Sequence, residues 1–148
     1  MAITKQTPRV IHLAGHGTAV NDVPAGGAIT PGMLIERYSN SGVATFRAHS
    51  TAGGNAVPTF ALDQREMNKG ISDDYAAGDL VHGLVCWPGA VVYAIIASGQ
   101  NITAGTFLES AGNGKLRTLA SGKAIAQATE DVNNSAGPGD ARLRVETF

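Results

Sequence analysis

Ile29-Thr30-Pro31-Gly32-Met33-Leu34-Ile35-Glu36 returns, at a constant offset of 73 positions, as Ile102-Thr103-Ala104-Gly105-Thr106-Phe107-Leu108-Glu109. Ile, Thr, Gly and Glu are identical in the two copies, and an apolar pair precedes the Glu in each. A shorter relative, Ala76-Ala77-Gly78-Asp79-Leu80-Val81, lies between them. Glycine supplies a turn conformation that residues with a Cβ resist, and the apolar residues after it start a strand. Gly32, Gly78 and Gly105 are therefore read as structural turns at recurring corners of a compact antiparallel β fold. The period is too long, and the copies too few, for a solenoid.

The rest of the chain agrees with a mainly β reading. Strands are expected at Met33–Tyr38 and Ala44–Ala48, joined by the Ser39–Gly42 turn, and at Thr59–Asp63. Leu80–Cys86 and Val91–Ala97 are the expected core strands, joined by Trp87-Pro88-Gly89. In the second of these both alternating faces are apolar, so it is expected to be covered on both sides. Phe107–Ser110 and Lys115–Leu119 form a hairpin across Ala111-Gly112-Asn113-Gly114. Ala124–Asp131 reads as a strand, although its Ala and Gln also suit a helix. Ala141–Thr147 closes the chain with Leu143 and Val145 inward. One helix of about two turns is expected at Asp63–Lys69, with Asp63 as N-cap and Gly70 as stop. The fold class that results is a small antiparallel β-barrel, of β-tulip, SH3-like or jelly-roll-like kind, with little helix.

Residues 1–28 read differently. They show no helical stripe and end on Gly26-Gly27, yet Ile3, Val10, Ile11 and Leu13 are apolar enough to want a surface. We read them as an extended N-terminal arm that docks on a partner, using Ile3, Arg9, Val10, Ile11 and Leu13, ahead of a β domain over 29–148. The alternative is an edge strand followed by a loop.

Composition removes several function classes. Charged residues make up only 16% of the chain and the net charge is −1, which argues against a nucleic-acid binder relying on clustered Lys and Arg. Cys86 is the single cysteine, so an intrachain disulfide is excluded. The longest apolar run, Ala90 to Ala97, falls far short of the roughly 20 residues of a membrane-spanning helix. The N-terminus lacks a signal-peptide pattern, and the chain is expected to be made and used without export.

No catalytic or metal constellation is visible, and no cofactor is expected. His12 and His16 stand four apart but are flanked by Gly15 and Gly17, with no Glu between them. His49 and His82 lie in separate segments, and Asp73, Asp74 and Asp79 lack Ca²⁺-loop spacing. Gly112-Asn113-Gly114-Lys115 resembles the end of a phosphate loop, but Glu109 stands where Gly is required and Leu116 follows the Lys. Asn101 and Asn133 open glycosylation triplets that are idle without export. Trp87 either plugs the end of the barrel, which the burial habit of Trp favours, or anchors a contact between subunits.

Taken in order, the runs Ile29 to Arg37, His49 to Gly54, Ala61 to Asp63, Lys69 to Asp79, Gly99 to Gly105, Gly122 to Ala126 and Arg142 to Val145 resemble the capsid decoration (cement) proteins of tailed bacteriophages. This resemblance covers about residues 29–148. It implies a virion structural protein, often a homotrimer, made in the host bacterial cytoplasm. Such a protein binds the major capsid protein on the outer surface of the expanded head and clamps neighbouring subunits against internal DNA pressure. It implies no catalytic residues, no direct nucleic-acid contact and no membrane. A virion-surface fibre or receptor- or glycan-recognition module is the alternative.

Overall fold

The structure, a computed structural model, describes residues 6–148. Among the described residues thirteen strands run in chain order: β1 (His12–Ala14), β2 (Gly17–Pro24), β3 (Ile35–Asn40), β4 (Val43–Ala48), β5 (Thr59–Ala61), β6 (Leu80–Cys86), β7 (Val91–Ile96), β8 (Asn101–Ile102), β9 (Phe107–Gly112), β10 (Lys115–Thr118), β11 (Ala126–Ala128), β12 (Val132–Asn133) and β13 (Ala141–Thr147). The fold is mainly β.

The recurring glycines explain much of this layout. Gly32, Gly78 and Gly105 have φ of 95°, 89° and 90°, a region that side chains with a Cβ resist. In each corner the N–H of the following residue bonds the carbonyl two residues before the Gly: Met33 to Thr30 at 3.1 Å, Asp79 to Ala76 at 3.0 Å, Thr106 to Thr103 at 3.1 Å. That is the pattern of a type II turn. Each glycine N–H also reaches an alanine carbonyl on a neighbouring segment, Ala61, Ala25 and Ala128 respectively, at 2.8 Å. The corner thus turns the chain and ties it sideways in one step. Trp87-Pro88-Gly89-Ala90 is a fourth such corner, with Gly89 at φ 89° and bonded to Thr147.

The hairpins after the two copies of the repeat are also alike. β3 and β4 pair across Ser41 and Gly42, and β9 and β10 across Asn113 and Gly114; all four turn residues have positive φ. Such turns match the twist of the strands they join. Glu36 sits directly opposite Arg47 in the first hairpin, and Glu109 opposite Arg117 in the second.

β7, β10, β9, β11 and β13 close into a ring, because β13 returns to pair with β7 along Ala141–Glu146. Closure leaves those strands without a free edge. β1 lies along the opposite edge of β7 beside β10. The larger core fills this region with Ile11, Val92, Ala94, Ile96, Leu108, Leu116, Leu143 and Val145, all fully buried. A smaller core, built on Ile29, Ile35, Phe46, Tyr75 and Val81, lies where the β2-β6-β5 sheet meets the β3-β4 hairpin. The strand expected at Val91–Ala97 runs over Val91–Ile96 in the ring, with Val92, Ala94, Ile95 and Ile96 buried and Val91 and Tyr93 half-buried.

Two expectations are corrected. The segment proposed as a free arm over 1–28 is woven into the body from Ile11 onward. Ile11 is fully buried, its N–H bonds Asp63 Oδ1 at 3.0 Å, and its carbonyl accepts the Tyr93 N–H at 2.8 Å. β1 pairs with β7, and β2 pairs with β6 from Gly17 to Pro24 through one bulge. Val23 and Ala25 join the smaller core, so Gly26-Gly27 is not a domain boundary. The segment supplies two strands, β1 against β7 and β2 as a bulged edge strand against β6. The second correction concerns Asp63–Lys69, which forms only a 3-10 turn at Arg65–Met67. Asp63 gives its carboxylate to Ile11 and does not cap, and Asn68, at φ 56°, ends the turn before Gly70 is reached.

Candidate functional site

An apolar surface at one end of the ring is the most prominent exposed feature. Phe107 is 46% exposed, Phe148 58% and Trp87 54%. Phe107 opens β9 just after the Gly105 corner, and its ring meets Phe148 edge-on at 5.6 Å. Phe107 and Phe148 line a groove of about 520 Å³ with Pro88, Gly89, Gln127, Glu146 and Thr147, and Trp87 precedes the groove's Pro88 in the chain without lining it. Trp87 therefore does not plug the ring, whose interior is filled by aliphatic side chains. It is held outward: its indole N–H donates to Thr18 Oγ1 at 3.1 Å, its carbonyl accepts from Thr147 Oγ1 at 2.9 Å, and its ring leans on His16. A fixed, exposed aromatic loses little freedom on binding, and Trp is prominent among interface hot spots.

A second arrangement lies inside the molecule. His49, 1% exposed, stands between Ser110 and Glu36. Its Nδ1 is 2.7 Å from Ser110 Oγ, and its Nε2 is 2.9 Å from the Asn55 carbonyl and 3.6 Å from Glu36 Oε2. A carbonyl only accepts, so this network assigns the ring proton to Nε2, and Nδ1 accepts the Ser110 hydroxyl. Ser110 Oγ in turn accepts the Gly112 N–H at 3.1 Å. The residue types match a nucleophilic triad, but Ser110 is fully buried and the far imidazole nitrogen is engaged by backbone. The array ties the loop after β4 to β9. Sequence reasoning missed it because Ser110 and His49 are 61 residues apart. Glu36 is raised by burial but lowered more by hydrogen bonds from Ser50 and Arg47, so its carboxyl ends below the usual range.

The other singled-out residues are dispersed. His82 Nδ1 lies 2.9 Å from Glu66 Oε1, His12 Nε2 lies 2.9 Å from the Gly15 carbonyl, and Asp79 accepts the Ala76 N–H at 2.8 Å. Among the described residues no three His, Cys, Asp or Glu are placed to hold a metal ion. Cys86 is buried, and burial pushes its thiol up to about 11. Of the residues assigned to the arm, Ile3 lies outside the described residues, Ile11 is in the core, Val10 and Leu13 are half-buried, and Arg9 is exposed. No helix among the described residues is long and apolar enough to cross a membrane.

No protein-family model and no curated protein matches the chain. Among solved structures the fold is similar to the N base of head fiber gp8.5 in bacteriophage phi29, with a TM-score of 0.60 at 14% identity, over 88% of this chain and 95% of that one.

Proposed function

We propose that this protein is a structural component of a phage virion. It binds the major capsid protein on the outer surface of the expanded head and clamps neighbouring subunits. The observation that carries the reading is the likeness of nearly the whole fold to a phage head fiber base, joined to the resemblance of residues 29–148 to capsid decoration proteins. The apolar end surface supports it, because a 148-residue chain acting through small contacts needs a few fixed anchors and several copies. Self-association as a closed ring, most simply a homotrimer, supplies those copies. The reading needs no cofactor, catalysis, nucleic acid or membrane.

The test is reconstitution on expanded capsids lacking the protein. The full chain binds and raises the temperature at which the heads release DNA. A Trp87→Ala/Phe107→Ser/Phe148→Ser variant stays folded, since all three side chains are exposed, and binds at least tenfold more weakly. Light scattering reads association as a multiple of the 15.1 kDa chain mass. Binding with no gain in head stability refutes clamping. Deleting residues 1–28 is not a clean probe of attachment, because it also removes β1, β2 and the core residues Ile11, Val23 and Ala25.

The head-fiber likeness specifically favours a second reading, in which the domain is the base of a surface fibre or recognition module. Capsid binding without stabilisation, together with glycan or host-cell binding, selects it.

A further inference from the structure

Six of the ten Lys and Arg side chains among the described residues have a partner. Arg47, Lys115, Arg117 and Arg144 pair with Glu36, Asp140, Glu109 and Glu130. Arg142 donates to the carbonyls of Pro31 and Ile71, and Arg37 lies over the Phe46 ring. Arg9, Arg65 and Lys69 are different. None of their side chains has a hydrogen bond or ion pair among the described residues, yet all three line one depression of about 380 Å³ with Val10, Asn68 and Gly70. Lys123, likewise unpaired, is not among the lining residues. The nearby Asp73 carboxylate is turned to the Gly70 N–H at 2.7 Å and does not pair with them. Three like charges around one hollow repel each other, and an anion seated between them relieves that repulsion.

The neighbouring hollow identifies the kind of anion. Val10 and Arg65 also line a second depression of about 440 Å³, shared with His12, Asp63, Glu66 and His82. Asp63 is 7% exposed and its Oδ2 has no partner. The sign of the charge thus reverses within one groove that wraps the Arg65–Met67 turn, and Met67 beside it is 63% exposed. A nucleic acid, negative along its whole length, is repelled by the acidic half. A protein segment, with a carboxylate flanked by other chemistry, is not.

We propose that Arg9, Arg65 and Lys69 form a binding site for an acidic side chain of a protein partner. This does not rest on the virion reading: it holds for any partner that presents an exposed Asp or Glu here. The test is an amide NMR titration of the full chain with a capped tri-glutamate peptide at low salt, with a capped tri-glutamine peptide as control. Saturable shifts at Asn68, Lys69 and Gly70 are expected with the glutamate peptide alone. They are weakened about fivefold or more by Arg65→Gln/Lys69→Gln, whose side chains have no hydrogen bond or ion pair among the described residues to lose, and also by added salt. Equal shifts with tri-glutamine, no saturation, unchanged affinity in the variant, or tighter binding of an eight-nucleotide oligothymidylate each overturn the proposal.

Discussion

The two copies of the repeat share their backbone and differ in which residue the fold depends on. In the first copy the corner glycine is buried. A Cβ at Gly32 would stand 2.5 Å from Arg142 Nη1 and 2.7 Å from the Tyr93 carbonyl, while a Cβ at Gly105 would meet nothing within 4 Å. The glutamates are reversed. Glu36 keeps 24% of its side chain exposed, and Glu109 only 1%. Both bond an arginine Nε directly across the hairpin at 2.9 Å. Glu109 also accepts the Gly122 N–H at 2.7 Å, whereas Glu36 draws on Ser50. Local sequence thus sets the turn, the hairpin and the ion pair twice over. Tertiary position decides which of them is indispensable.

The sharpest way to break this comparison is Gly32→Ala. It imposes the left-handed penalty of about 1–2 kcal/mol and also displaces Arg142 from the Pro31 and Ile71 carbonyls, each about 1–3 kcal/mol when orphaned. We expect a loss of roughly 3 kcal/mol or more in urea unfolding. A loss no larger than that of Gly105→Ala would show that the two corners are equivalent and that the packing above Gly32 yields.

Glu109→Ala is expected to come next, with a larger fall in Tm than Glu36→Ala, since it leaves Arg117 and the part-buried Gly122 N–H without their acceptor. pH reads the same pair. For Glu109 burial raises the carboxyl and hydrogen bonds from Arg117, Gly122 and Ala120 lower it more, and Glu36 ends lowered too. The folded chain therefore holds fewer protons on these groups than the unfolded chain in the acid range. Their contribution is complete above the unfolded carboxylate value near 4.5 and is lost as pH falls through the lowered folded values. Acid unfolding of Glu109→Gln should be flatter below that value than that of the unaltered chain. An unchanged slope would remove Glu109 from the acid response.

Gly105→Ala and Gly78→Ala rank third, at about 1–2 kcal/mol each, because only the φ penalty applies where the space is open. Asparagine at either position should recover part of that loss, as it tolerates the same backbone.

These outcomes also measure what the chain disclosed before it was folded. Leu80–Cys86 and Ala141–Thr147 were legible to the residue, since their apolar alternation or turn-bounded runs depend on nearest neighbours alone. The corner glycines were legible for the same reason. Residues 11–25 were not. Ile11 and Val23 are buried by strands roughly 60 to 80 positions away, and the bulge between Val20 and Val23 breaks the alternation that would have marked an edge strand. Trp87 was misjudged because burial habit carries no information about a corner whose indole N–H is claimed by Thr18. The Ser110–His49–Glu36 array and the Arg9–Arg65–Lys69 hollow are assembled from separate segments, so no spacing announces them. The mainly β class survived all this, being a property of the average strand and not of any one contact.

The smallest effect belongs to the arginines opposite the two glutamates. Arg47 is 47% exposed and Arg117 39%, so each cation is largely solvated and its pairing screened. Arg47→Ala should cost under about 1 kcal/mol, and the cost should shrink further at about 1 M salt, where the screening length falls to about 3 Å. Arg47 also lies over the Tyr38 ring, so the part that survives salt measures that contact. For Arg117→Ala the residual cost at high salt should be greater, because the carboxylate left behind at Glu109 is buried and Glu36 is not. Equal residual costs would mean that the Gly122 N–H alone satisfies Glu109. The two copies would then differ only at their glycines.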